Sequence, residues 1–154
     1  MSGDPSTPLA RLFALAYRQL IDDMHERLAE RGWSDVRRSY GFVLLALRER
    51  GATVTELAGL LGVSKQATSK LLDAMVAGGY LRRAGGAADA RVKVVALAPR
   101  GHRLLAAVEE IYAELEQRWA AVIGADAVGA IRTGLLAVLH DRHGDPLPQL
   151  RPPE

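Results

Sequence analysis

Residues Thr53 to Leu81 read TVTELAGLLGVSKQATSKLLDAMVAGGYL. Thr53 stands three residues ahead of Glu56, the spacing of a capping box, in which each side chain satisfies a backbone N–H at the other position. Val54, Leu57, Ala58 and Leu61 then recur at helical spacing and give a two-turn helix one apolar face. Gly62 breaks that helix at a point where the chain needs positive φ. Ser64 is placed to N-cap a second helix running to about Ala77. On that second helix Ala67, Leu71, Leu72 and Met75 are expected to face inward. Lys65, Gln66, Ser69, Lys70 and Asp73 are expected to face outward, with Thr68 near the boundary. Gly78 and Gly79 stop it.

Two short helices joined by a tight glycine turn form a helix-turn-helix arrangement. Its crossing needs a small residue, here Ala58, and apolar residues to lock it, here Leu57, Leu61, Val63 and Leu71. Thr68 stands where Val or Ile is usual, and its hydroxyl is expected to bond back to a carbonyl one turn earlier. Tyr80 to Arg83 reads as a first strand, Ala84 to Ala90 as a small loop, and Arg91 to Leu97 as a β-branched second strand. A hairpin with an apolar root and a projecting tip turns the unit into a winged helix. Such a unit presents donors to a polyanion. Ser64, Lys65, Gln66, Thr68, Ser69 and Lys70 are the candidate contacts on the second helix, where Gln pairs with adenine and Lys with guanine. Arg82, Arg83, Arg91 and Lys93 would flank the sugar-phosphate backbone, with the wing tip in the minor groove.

The bulk composition is compatible with this reading. The chain has 154 residues, 49% hydrophobic and 25% charged, a length expected for one domain. It has no cysteine, which excludes disulfides, thiol nucleophiles and thiolate metal sites. The net charge is only +2. Between Ser64 and Lys93, however, six basic residues face two acids, so the rest of the chain is mildly acidic. No apolar run has the length of a membrane span, and MSGDPSTP is not a secretory signal. The expected location is the cytoplasm, with no membrane contact.

Outside the central unit the chain is helical. Thr7 and Pro8 open a helix whose stripe runs Leu9, Leu12, Phe13, Ala16, Leu20, Met24 and Leu28, ending at Gly32. A second, nearly all-apolar helix is expected over Val36 to Arg50, capped by Ser34 or Asp35. Pro99 opens a third, with a narrow seam at Leu104, Val108, Ile111, Leu115, Trp119 and Val122. After Gly124, Asp126 is expected to cap a last helix with Val128, Ile131, Leu135 and Leu139 inward. The organisation expected is a winged helix-turn-helix at 34–98, a helical dimerisation region at 8–32 and 99–143, and flexible termini at 1–7 and 144–154. The fold class is mainly α with a small β-hairpin wing.

From Tyr40 to Gly101 the chain resembles the multiple antibiotic resistance regulator (MarR) family of winged-helix transcription factors. The residues carrying the resemblance are TVTELAGLLGVSKQATSKLLDAM, then GGYLRR, then Asp89-Ala90-Arg91 and VKVVALAPRG. The Asp-x-Arg pattern is the most specific part. It implies that Arg91 reads the minor groove and that Asp89 orients it. The resemblance also implies an obligate homodimer built from the terminal helices and a duplex of pseudo-palindromic sequence. It implies a regulator, read here as a repressor, released by a small aromatic or amphipathic effector. Tyr17, Trp33, Arg37, Tyr40 and Trp119 are the candidate pocket residues, since Tyr and Trp combine apolar area with a polar handle. Two departures stand out. Leu97-Ala98 replaces the family's usual Leu-Thr, which weakens the helix cap before Pro99, and the wing tip Gly85-Gly86-Ala87-Ala88 carries no charge.

Other chemistries find less support. His140 and His143 lie at i, i+3, a spacing open to a metal, but they read as a polar helix end, and no metal or cofactor is expected. His25 and His102 are isolated. No phosphate-binding glycine loop, nucleophile set or carboxylate pair points to an enzyme. The alternative is a winged helix used for protein contact, or for architectural DNA binding without an effector.

Overall fold

The computed structural model describes residues 5–84 and 93–152. Six helices and three short strands follow in the order α1 (Leu9–Glu30), α2 (Tyr40–Ala46), β1 (Ala52–Thr53), α3 (Val54–Leu61), α4 (Lys65–Ala77), β2 (Leu81–Arg83), β3 (Val94–Leu97), α5 (Pro99–Ile123) and α6 (Ala125–His143). The strands form an antiparallel sheet in the order β1-β3-β2. Leu81 pairs with Leu97 and Arg83 with Val95, while Ala52 pairs with Val95 across the other edge. Gly51 leads into β1 so closely that a Cβ there would lie 2.9 Å from the Val95 carbonyl oxygen.

The core lies where α2, α3 and α4 meet the sheet and the N-terminal half of α5. Val43, Leu57, Met75, Tyr80, Val95, Leu104 and Ile111 are all fully buried there. Met24 and Leu28 of α1 join the same cluster. Two ion-pair groups fasten the outer helices: Arg27 of α1 and Arg31, its C-cap, hold Glu114 of α5, and Arg132 of α6 holds Glu116 of α5.

Several expectations need correction. α1 begins one residue later than expected, with Pro8 as N-cap and no side-chain cap bond. The expected helix over Val36 to Arg50 shrinks to seven residues, Tyr40–Ala46. Asp35 does not cap it, because its carboxylate is engaged by Tyr80 and Arg100. Asp126 sits in the first turn of α6, and the N-cap is Gly124. Ala98, as expected, offers no side-chain cap to α5.

The largest difference concerns the last helix. Val128, Ile131, Leu135 and Leu139 were expected inward, yet α6 has no buried residue. Among the described residues α6 packs mainly on α5, and most of its apolar side chains, Ile131, Leu135, Leu136, Val138 and Leu139 among them, face solvent. The same is true of the first half of α1, where Leu9, Leu12, Phe13 and Leu15 are exposed, and of the end of α5, where Val122 is 84% exposed. Among the described residues, no single helix is long and apolar enough to cross a membrane.

Candidate nucleic-acid interface

Local sequence builds this site. Thr53 Oγ1 accepts from the Glu56 N–H at 3.1 Å and starts α3. Gly62, at φ +69, ends it. Ser64 Oγ accepts from the Ala67 N–H at 3.1 Å and starts α4. The turn is therefore three residues long, and both of its helices carry a side-chain cap.

The expected inward face of α4 holds at Leu72 and Met75, and Leu71 packs half-buried on the core, but the first turn differs. Thr68, Leu72 and Met75 are its buried residues, at i, i+4 and i+7, while Ala67 is exposed. Thr68 is fully buried, and its hydroxyl donates to the Ser64 carbonyl oxygen at 2.9 Å. It therefore cannot reach a duplex. It seats the helix, and the back-bond satisfies a hydroxyl that burial would otherwise leave unpaired. Val63, expected to lock the crossing, is 40% exposed.

The outer face of α4 presents Lys65, Gln66 and Lys70, all exposed, with Ser69 half-buried beside them. Among the described residues, neither lysine has an ion-pair partner. Their charge adds to that of a helix N-terminus whose N–H groups point the same way. On the wing, Arg82 and Lys93 are exposed and likewise unpaired among the described residues. Arg83 differs: it holds Asp73 of α4 at 2.7 Å. That pair ties β2 to α4 and takes part of the Arg83 charge out of play. Asp89, Arg91 and the wing tip Gly85 to Ala88 lie outside the described residues.

At the end of α4 lies a group that periodicity did not reveal. Tyr80, fully buried, donates its hydroxyl to Asp35 at 2.7 Å. Tyr40 meets the Tyr80 ring edge-on at 5.5 Å, and Trp33 lies 6.3 Å away. The Arg100 guanidinium sits 4.3 Å over the Tyr80 ring and donates to the Gly78 carbonyl oxygen, which closes α4. The Tyr80 hydrogen bond, ahead of Arg100, holds the Asp35 carboxyl below the usual carboxylate range. Burial, reinforced by Asp35, pushes the Tyr80 phenol to about 12. The cluster joins the end of α4 to the start of α5. Gly101 completes the joint, since a Cβ there would lie 2.2 Å from the Tyr80 carbonyl oxygen.

The five candidate pocket residues do not converge. Trp33 and Tyr40 belong to this aromatic cluster, and Arg37 is exposed. Trp119 lines an open groove of about 430 Å³ with Gln19, Leu115 and Ile131. Tyr17 alone lines the cavity of about 540 Å³ between α1, α2 and α5, with Ile21, Met24, Phe42, Val108 and Tyr112 among its apolar walls. His25 borders that cavity, and burial followed by Arg38 lowers its pKa. Phe42 and Tyr112 could have been found from their place on apolar helix faces, but only the packing shows that those faces enclose space. His140 and His143 end α6, exposed.

Comparison with known proteins follows the same lines. The MarR family model matches residues 34–92. No curated protein matches the chain. Among solved structures, the reduced form of MarR from E. coli aligns with a TM-score of 0.74 at 25% identity, covering 88% of this chain and 99% of that one. A mutant of the same protein complexed with operator DNA aligns with a TM-score of 0.64 at 25% identity, over 86% of this chain and 94% of that one. A mutant of MepR from S. aureus bound to an oligodeoxyribonucleotide has the same fold, with a TM-score of 0.64 at 20% identity over 90% of this chain and all of that one. The winged helix matches the MarR family model by sequence and nearly the whole chain matches MarR by structure, so this chain is similar to the MarR family of winged-helix regulators over its winged helix and shares the fold throughout.

Proposed function

We propose that this chain is a sequence-specific DNA-binding transcription regulator, a repressor that works as a homodimer on a pseudo-palindromic duplex. The observation that carries the reading is the outer face of α4. A Ser64-capped helix start presents Lys65, Gln66 and Lys70 to solvent, while Thr68, Leu72 and Met75 hold the helix from behind. Arg82 and Lys93 flank it, and Arg91, with Asp89 to orient it, is the proposed minor-groove residue. The DNA-bound relatives support this surface as the docking face. The solvent-facing apolar side chains of α1, α5 and α6 support pairing of two copies through 8–32 and 99–143, because isolated subunits rarely expose so continuous an apolar face. The cavity between α1, α2 and α5 supports a small aromatic or amphipathic effector. The chain is read as a binding protein and not an enzyme, acting in the cytoplasm.

Selection of bound duplexes from a random pool tests this directly. The expected result is an inverted repeat with half-sites about one helical turn apart. Affinity should fall steeply with salt, because the lysines and arginines displace counterions from phosphates. Failure to enrich any sequence would instead favour protein contact or architectural binding.

A further inference from the structure

Residues 144–152 follow α6 without regular structure, yet they do not lead away from the molecule. Leu150 and Arg151 form part of the wall of the cavity between α1, α2 and α5. Arg151 also reaches the helix-turn-helix: its Cδ and one guanidinium nitrogen lie 3.8 Å from where a Cβ on Gly62 would be. Gly62 is the residue whose left-handed backbone sets the angle between α3 and α4. One short segment thus touches both the cavity and the turn that aims the recognition helix.

We infer that this C-terminal tail is a strap that couples the cavity to the helix-turn-helix. Leu150 is the anchor. It is 51% exposed, so about half of it is held against the cavity's apolar wall. Arg151 is the adjacent residue and moves with it. Pro146, Pro148 and Pro152 restrict the backbone on both sides, so the segment behaves as a semi-rigid spacer and not as a floppy arm. Whatever fills the cavity contacts Leu150, and an occupant that pushes Leu150 outward withdraws Arg151 from Gly62. The consequence for gene regulation rests on the DNA-binding reading above, whereas the strap itself rests only on the geometry.

The test needs no DNA and no unknown ligand, so its failure is distinguishable from failure of that reading. The natural chain has no cysteine. A nitroxide on Arg151→Cys therefore labels the tail alone, and paramagnetic broadening of the Gly62 and Val63 amides reports whether it is seated. Gly41 supplies an internal occupant. It lines the cavity on α2, and a Cβ there meets nothing within 4 Å. Broadening is expected in the labelled chain. It should persist in Gly41→Ala and fall severalfold in Gly41→Phe, whose ring fills the cavity and presses on the wall that Leu150 forms. Leu150→Ser, which leaves α2 intact, should loosen the tail about fivefold, the effect of withdrawing half a leucine from apolar surroundings. Absence of broadening in the labelled parent would overturn the inference, as would broadening unchanged in both Gly41→Phe and Leu150→Ser.

Discussion

Replacing Tyr80 with Phe removes a single oxygen from the joint between α4 and α5. The ring is fully buried and its packing on Trp33, Tyr40 and Arg100 is retained, so no cavity opens. What is lost is the 2.7 Å hydrogen bond to Asp35. A hydrogen bond to a charged acceptor contributes roughly 1.5–3 kcal/mol when shielded. The Asp35 side chain is about half exposed, so water replaces part of the bond. The expected loss at neutral pH is therefore about 1 kcal/mol. The pH dependence is more diagnostic. The folded-state pKa of Asp35 is depressed, so its contribution is present above the ordinary carboxyl value of roughly 3.9 and is lost as pH falls through the lower folded value. The phenol is raised instead, so its contribution is whole below 10 and is lost as pH rises through about 12. The gap between natural chain and variant should thus be widest near neutrality and narrow at both extremes. Urea unfolding at fixed protein concentration, followed by circular dichroism at acid, neutral and alkaline pH, measures it. A variant as stable as the natural chain at pH 7, or a gap constant across pH, would refute the argument.

Other substitutions probe the remaining joints. Gly101→Ala places a methyl 2.2 Å from the Tyr80 carbonyl oxygen, so α5 must shift, and a loss at the upper end of roughly 1–3 kcal/mol is expected in the urea midpoint. Thr68→Val should leave DNA affinity within about twofold, because the side chain is buried and the Ser64 carbonyl keeps its bond from the Thr68 N–H. A tenfold weakening in fluorescence polarisation would put Thr68 back on the DNA. Lys70→Ala should weaken binding across sequences and lower the salt slope by about one. Leu135→Glu introduces a charge on the solvent-facing side of α6 and should shift the molecule to a monomer in sedimentation, with an unchanged mass refuting that face as the dimer contact.

Local chemistry made the centre of this protein legible. Capping residues bond within one turn, so Thr53 and Ser64 announced α3 and α4, and Gly62 announced the turn between them. Hydrophobic spacing found α1, α5 and α6 as helices for the same reason. The spacing was less able to orient them. On α4 it placed Ala67 inward and Thr68 only near the boundary, although the back-bond expected from the Thr68 hydroxyl is the bond that lets Thr68 be buried. For α6 it assumed that an apolar stripe must be covered by the same chain.

What remained hidden depends on residues far apart in sequence. Asp35 looked like a helix cap, but Tyr80 is 45 positions away and claims its carboxylate. Arg83 looked like a free phosphate contact until Asp73 was placed across from it. The pair of residues that forms β1 had no signal of its own, since two residues become a strand only when β3 arrives beside them. The sequence alone determined which helices form, where α3 and α4 start and stop, and which short segment carries the candidate DNA-facing donors. Tertiary structure decided which of those donors are exposed, where a cavity lies, and that the tail reaches it. The first set follows from bonds and spacings within a turn or two, and the second from which distant side chains the packed core brings together.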